Sequence, residues 1–119
     1  MNKPLTIHAG GHRGCLGLSL RGSCTTPADV AQLEQAARRL LASRPTRLWV
    51  DCQQLLEVSV SGQRTLLHTE RLARAAGVVC YWCGLSAHVL SQLATSGLQQ
   101  LLQLRSAAEF EGPRYILPD

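Results

Sequence analysis

Short apolar runs alternate with amphipathic segments of helical period along this chain, and this alternation limits its fold more than any other feature. Two strand-like runs, residues 5–7 and 15–20, flank a turn-forming segment at 10–14. Three more runs, at 48–50, 78–83 and 101–104, are each preceded by a helical pattern. Strands joined by helices form parallel sheets, whereas two strands joined by a short turn pair antiparallel. The order predicts an α/β fold with a mostly parallel sheet of four to five strands, an antiparallel edge strand at the amino end, and three to four helices.

The first helix has the clearest start signal. Thr26 supplies a capping hydroxyl, Pro27 occupies the first helical position, and Asp29 follows three residues after the cap. We expect this helix to stop near Ser43, because Arg44 precedes a proline and is disfavoured in the helical region.

Two further helices follow from similar signals. We expect the second to open at Ser61 and Gly62, with Ser61 as its cap, and to close at Gly77. Residues 52–60 before it are interpreted as a loop. The third is capped by Ser86 and ends at Gly97, and a last helical turn is expected at 107–110.

Length and charge exclude several classes of protein. The 119 residues, 45% of them apolar, suit one domain over 1–119 with its core at about 5–110. No apolar run reaches the length of a membrane span, and the first residues lack a signal-peptide pattern, so a cytoplasmic protein without direct membrane insertion is expected. The net charge of +4 comes from scattered arginines, and the chain has only five aromatic residues, which disfavours nucleic-acid binding.

The five cysteines are expected to be reduced thiols. Cys80 and Cys83 have the spacing of redox and zinc motifs, but within a strand such a pair points to opposite faces. The four histidines show no companion spacing for zinc. We therefore predict buried structural thiols, no metal and no cofactor, and keep a thiol-active protein as the competing hypothesis.

One ordered set of residues resembles a known family, the STAS domain of bacterial anti-sigma factor antagonists and of sulfate-transporter tails. The set runs through Trp49-Val50-Asp51, Leu55, Val58, Ser59-Val60-Ser61-Gly62, Leu66-Leu67, Arg71, Ala73 and Gly77. The likeness extends to Leu20-Arg21-Gly22, Gly84-Leu85-Ser86 and Ser96-Gly97-Leu98, so that it covers about 5–110.

The resemblance implies that an Asp-Ser-Ser-Gly turn is the working site, with its first serine phosphorylated by a partner kinase. Aligning the glycine with Gly62 places Val60 at that acceptor position. Because valine has no hydroxyl, three readings stay open: phosphorylation at Ser59 or Ser61, constitutive binding without covalent control, or plain capping by Ser61 beside a solvated Ser59.

The resemblance further implies a signalling module that regulates transcription by binding an anti-sigma-factor kinase or related partner, and that is not an enzyme. The alternative is a STAS subunit or regulator of a membrane transport system for lipids or anions, resting on a transporter ATPase without phosphorylation. The exposed edge strand would also allow a homodimer. The expected partner-binding residues are Ser23, Cys24, Thr25, Thr26, Ser59, Val60, Ser61, Gly62, Gln63 and Arg64.

A few other side chains have both a functional and a purely structural interpretation. Arg64, His68 and Arg71 form one stripe of the second helix, either a contact for an acidic partner or a solvated face. Asp51 ends a central strand, where open α/β sheets place functional groups, or it caps a loop. His88 is expected at the surface near the start of the third helix. Glu70 and Arg74 are expected to form a surface ion pair worth tenths of a kcal/mol.

Overall fold

In the computed structural model, which describes residues 3–12 and 14–118, five strands alternate with three helices in the predicted order. The strands are β1 (Thr6–His12), β2 (Cys15–Cys24), β3 (Arg47–Val58), β4 (Val79–Cys83) and β5 (Leu104–Arg105). The helices are α1 (Pro27–Leu41), α2 (Val60–Ala75) and α3 (Ala87–Ser96), and short 3₁₀ turns lie at Leu98–Gln100, Ala107–Glu109 and Arg114–Ile116. Among the described residues, no helix has both the length and the apolar character that crossing a membrane requires.

The strands form one sheet in the order β1-β2-β3-β4-β5. β1 pairs antiparallel with β2, and every other neighbouring pair is parallel, which confirms the predicted mixed sheet. Because successive parallel strands are neighbours, right-handed crossovers place α1, α2 and α3 on the same face. Leu18, Val50 and Trp82 point to this face and form the main core with apolar side chains of the helices.

The opposite face of the sheet is covered by the chain's own C-terminal segment, residues 106–118. Phe110 and Ile116 pack there with Trp49 and Cys83 in a second, smaller cluster. Gly17 makes room for this segment, since a Cβ atom at that position would lie 2.8 Å from atoms of Ile116 and of Pro113. The helices therefore cover one face of the sheet, and the irregular segment shields the part of the other face around Trp49 and Cys83.

The helix boundaries follow the predicted chemistry at most ends. Thr26 accepts a hydrogen bond from the Asp29 N–H, and the Asp29 carboxylate accepts one from the Thr26 N–H, which completes a capping box. Ser86 caps α3, and Gly97 ends it in the left-handed conformation. α1 ends at Leu41 rather than near Ser43, and Arg44 has a positive φ of 51°.

Three predicted boundaries in the sheet are wrong. β3 continues to Val58, so residues 52–60 are mainly strand and not a loop. The run at 101–104 contributes only its last residue to a two-residue strand, β5. By contrast, the helical turn expected at 107–110 is present, as a single 3₁₀ turn at Ala107–Glu109. β1 continues past the predicted turn-forming glycines to His12. Arg13, which belongs to the predicted turn, lies outside the described residues, as do Met1, Asn2 and Asp119.

Candidate functional site at the amino end of the second helix

The turn that connects β3 to α2 is formed by Ser59, and α2 begins at Val60. The Ser59 hydroxyl accepts a hydrogen bond from the Gly62 N–H at 3.1 Å, and its carbonyl oxygen accepts one from the Gln63 N–H at 2.8 Å. Ser59 is therefore the N-cap, and the prediction that Ser61 caps the helix is wrong. α2 begins at Val60, before the predicted start at Ser61 and Gly62, so the residue that precedes the helix, Ser59, is the cap.

Gly62 fixes how closely α2 approaches β2. A Cβ atom on Gly62 would overlap with the carbonyl oxygen of Cys24, the last residue of β2. The same oxygen accepts a hydrogen bond from the Ser59 N–H at 3.1 Å. The glycine allows this contact, which brings the end of β2 and the start of α2 together.

The loop after β2 is held by the carboxylate of Asp29, which is buried in the first turn of α1. This carboxylate accepts hydrogen bonds from the N–H groups of Leu5, Thr25 and Thr26 at 3.1, 3.2 and 3.1 Å. Burial raises the pKa of Asp29, but these hydrogen bonds outweigh burial, and its pKa lies below the ordinary value. Residues 23–26 are thus fixed beside the turn, with Ser23 and Cys24 buried and Thr26 exposed.

The outer surface of the turn combines an apolar side chain with polar groups. Val60 is 67% exposed, and Ser61 and Arg64 are also exposed. Among the described residues, no acceptor bonds the N–H groups of Val60 and Ser61, as expected for the first turn of a helix. Such an end favours negatively charged or acceptor groups, and Val60 adds a small apolar contact.

α3 contributes a residue to this surface that the sequence analysis missed. The Ser96 hydroxyl donates to the side-chain oxygen of Gln63 at 2.8 Å. The side-chain oxygen of Gln92 accepts the N–H of Val58 at 2.9 Å, which ties α3 to the end of β3. Ser96 thus contacts α2, whereas His88 is exposed, as predicted. No local signal marks this pair, because it depends on how α3 crosses the extended end of β3.

The stripe of Arg64, His68 and Arg71 lines a cleft between α1 and α2. Glu34 of α1 faces the same cleft, and Leu67 contributes an apolar side chain. Arg64 and Arg71 are exposed, while His68 is half-buried. The stripe therefore continues from the exposed turn along the helix, as the predicted spacing requires.

Asp51 and Glu70 have structural roles in the interior. The Asp51 carboxylate is fully buried in β3 and accepts hydrogen bonds from the Ser19 hydroxyl at 2.7 Å and from the side-chain amide of Gln53 at 2.9 Å. Glu70 is also buried, and it accepts from Trp82 Nε1 at 3.1 Å and from Arg74 Nε at 2.9 Å. The prediction of an exposed Glu70–Arg74 pair is wrong for Glu70.

The cysteine pair does not form a reactive site. Cys80 packs in the main core and Cys83 in the smaller cluster on the opposite face, so the sulfur atoms point apart as predicted. Burial raises the pKa of Cys83 to about 11 and that of Cys80 well above its usual value. Over residues 3–12 and 14–118, no group of three His, Cys, Asp or Glu side chains is placed to hold a metal.

Comparison with known proteins relates this chain to one protein family. A family model described as Mlab, STAS domain matches residues 7–108, whereas no curated protein sequence matches.

Solved structures share the fold at low sequence identity. An anti-sigma factor antagonist from Mycobacterium paratuberculosis superposes with a TM-score of 0.69 at 21% identity, over 87% of this chain and 89% of that one. A variant of RsbS from Moorella thermoacetica, with a glutamate in place of a serine, gives 0.67 at 17% identity, over 84% and 86%. The anti-sigma factor antagonist SpoIIAA in its unphosphorylated form gives 0.66 at 18% identity, over 87% and 90%. The family model covers most of the chain and the fold agrees, and this chain belongs to the STAS domain family.

Proposed function

We propose that this protein is a signalling module of the anti-sigma factor antagonist type, and that the amino end of α2 binds an anti-sigma-factor kinase or a related kinase-like ATPase. The observation that carries the proposal is Val60. Its side chain is 67% exposed at the first position of α2, where the STAS resemblance places the phospho-acceptor. An exposed apolar side chain beside open N–H groups suits contact with a protein.

The chemistry of the turn favours binding without a phosphorylation switch. Valine has no hydroxyl, and the Ser59 hydroxyl is engaged as the helix cap. Phosphorylating Ser59 would remove that cap, which typically contributes about 1 kcal/mol. Ser61 is exposed and would accept phosphate without breaking a described hydrogen bond, so we test it separately. We propose that the unmodified protein is the binding form, that it acts in the cytoplasm, and that it has no catalytic activity of its own.

The same observation favours a second candidate function. A STAS subunit that regulates a membrane transport system by resting on its ATPase would need no acceptor at this turn. Val60 in place of a hydroxyl residue is compatible with such permanent binding. The two candidates differ in one property of the partner, namely whether it transfers phosphate to a STAS domain.

Calorimetric titration against the purified kinase-like ATPases and transporter ATPases of the source genome tests the proposal. We expect Val60→Asp to weaken the complex at least about tenfold, because a carboxylate would face the partner where an apolar contact was. Leu101→Asp is the matched control, since Leu101 is also apolar and is 47% exposed, outside the turn. Equal affinities of wild type, Val60→Asp and Leu101→Asp for the bound ATPase would refute the proposed surface.

Intact-mass analysis after incubation with the bound ATPase and Mg-ATP separates the two candidates. For an antagonist-type partner, we expect an unchanged mass for the wild type and the gain of one phosphoryl group for Val60→Ser. A transporter-type partner would leave both masses unchanged. A phosphorylated wild type that loses the added mass in Ser61→Ala would contradict binding without a switch.

A further inference from the structure

β1 is the exposed edge of the sheet, and part of its outer side has backbone groups without a partner in the described chain. Leu5, just before β1, donates its N–H to the Asp29 carboxylate at 3.1 Å. Gly11, near the other end, donates its N–H to the Tyr115 hydroxyl at 2.8 Å. For Ile7 and Ala9, which lie between these two, the structure of residues 3–12 and 14–118 provides no such side-chain acceptor.

The alternation of an antiparallel ladder shows which groups point outward. Along an edge strand, the N–H and C=O groups of every second residue face the neighbouring strand, and those of the intervening residues face away. The Gly11 N–H reaches an acceptor outside the β1–β2 pair, so the odd-numbered residues of β1, namely Ile7, Ala9 and Gly11, face away from β2. Ile7 and Ala9 therefore present two donors and two acceptors at the free edge.

This pattern is symmetric about His8. The open residues, Ile7 and Ala9, lie one position on either side of it, and the occupied N–H groups, Leu5 and Gly11, lie three positions on either side. An antiparallel copy of β1 with the two His8 residues opposite each other would pair Ile7 with Ala9 of the second copy, and Ala9 with Ile7. Those pairs exchange four hydrogen bonds, and the occupied positions fall opposite each other.

We propose that the protein self-associates through β1 of two copies, paired antiparallel about His8 into one continuous ten-stranded sheet. A two-fold contact needs a surface that is complementary to itself, and the spacing of open and occupied groups along β1 meets that condition. The opposite edge of the sheet, β5, is only two residues long and offers no comparable segment.

The side chains beside the edge also suit a second copy. A shallow cleft between β1 and α1 is lined by the apolar side chains of Ile7, Ala9, Ala36 and Leu40 and by the polar side chains of Gln32, Gln35 and Arg39. The chain has a net charge of +4, so two copies repel each other where arginines cluster. The cleft between α1 and α2 holds Arg64 and Arg71, whereas the β1 edge combines apolar side chains with little charge.

The contact would leave the surface proposed above accessible. Val60 follows β3, two strands away from β1 in the sheet. Self-association and partner binding can therefore be measured independently.

Charge placed on the two-fold axis gives a direct test. His8 is exposed and would face its own copy across the axis, so any charge introduced there meets the same charge. Sedimentation-equilibrium measurements up to about 1 mM chain should show a wild-type dimer. We expect His8→Glu and His8→Lys each to raise its dissociation constant about tenfold or more, and an equimolar mixture of the two variants to restore association. Gln100→Glu and Gln100→Lys, exposed changes outside β1, are the controls and should dimerise like wild type.

A second variant removes hydrogen bonds from the edge without touching β2. Ala9→Pro deletes the outward N–H group, and with it two of the four hydrogen bonds across the axis, while the bonds of β1 to β2 remain. We expect dimer affinity to fall about tenfold or more, with an unchanged far-UV circular dichroism spectrum. A wild type that is monomeric throughout the range, a dimer unaffected by Ala9→Pro, or folded charge variants that fail to associate when mixed would each overturn the proposal.

Discussion

Replacing Gly62 with alanine tests whether α2 is held against β2 as the structure shows. The added methyl group would overlap with the carbonyl oxygen of Cys24. That oxygen cannot move away freely, because it accepts the Ser59 N–H at 3.1 Å and belongs to the last residue of β2. The start of α2 would have to shift instead, and the cap at Ser59 would shift with it.

Two opposing terms set the size of this effect. Overpacking against a fixed neighbour costs about 1–3 kcal/mol. Alanine is the better helix former by up to about 1 kcal/mol in a helix interior, and by less in a first turn. We expect a net loss of about 1–2 kcal/mol in the free energy of unfolding. In urea denaturation this corresponds to a fall in the midpoint on the order of 1 M.

Ser61→Ala provides the control for Gly62→Ala in the same helical turn. Ser61 is exposed, and Ser59 rather than Ser61 forms the cap, so we expect a change below about 0.5 kcal/mol. A Gly62→Ala variant as stable as wild type, or more stable, would show that the close approach of α2 to Cys24 is wrong. A large loss for Ser61→Ala would show that the cap is misassigned.

Three further outcomes can be measured on the isolated protein. The pKa of Asp29 is lowered in the folded protein, so its ionised form stabilises the fold above the unfolded pKa, and this contribution is lost as the pH falls below about 4. Asp29→Asn should therefore lower the urea midpoint at pH 7. It should also make the free energy of unfolding depend less on pH in the acid range. Burial raises the pKa values of Cys24 and Cys83 to about 11 from 9.0, so the contribution of these thiols to the stability of the fold is full below pH 9 and is lost as the pH rises toward 11. Thiol titration of the native protein at neutral pH should modify Cys15 well before the four buried cysteines. Equal rates of modification would contradict their burial. Glu70→Leu should cost about 1–3 kcal/mol more than Glu70→Gln, because glutamine keeps an oxygen for the buried Trp82 N–H; equal losses in thermal unfolding would disprove that role.

Several features of the fold were predictable because they depend on neighbours in the chain. The capping box of Thr26 and Asp29 and the left-handed end of α3 at Gly97 need only residues within one helical turn. The opposite orientation of Cys80 and Cys83 follows from the two-residue period of a strand. Local chemistry and periodicity were sufficient for these elements.

The second half of β3 was not predictable because its pairing is irregular. The register between β2 and β3 shifts twice, and each shift inserts an extra residue in β3 between Asp51 and Glu57. Extra residues interrupt the alternation of buried and exposed side chains, so consecutive exposed glutamines resemble a loop. The start of α2 at Val60 makes Ser59 rather than Ser61 the helix cap, and it leaves the Ser61 hydroxyl without a hydrogen bond among the described residues.

By itself, the sequence determined the mixed α/β sheet and the order of its elements, because hydrophobic period and capping chemistry are local. Only the tertiary structure decided that Glu70 is buried under Trp82, that residues 106–118 cover the second face of the sheet, and that Asp29 and Tyr115 occupy N–H groups on either side of the free edge of β1. Those contacts join residues far apart in the chain. Their partners are chosen by how strands and helices pack, which no local pattern records.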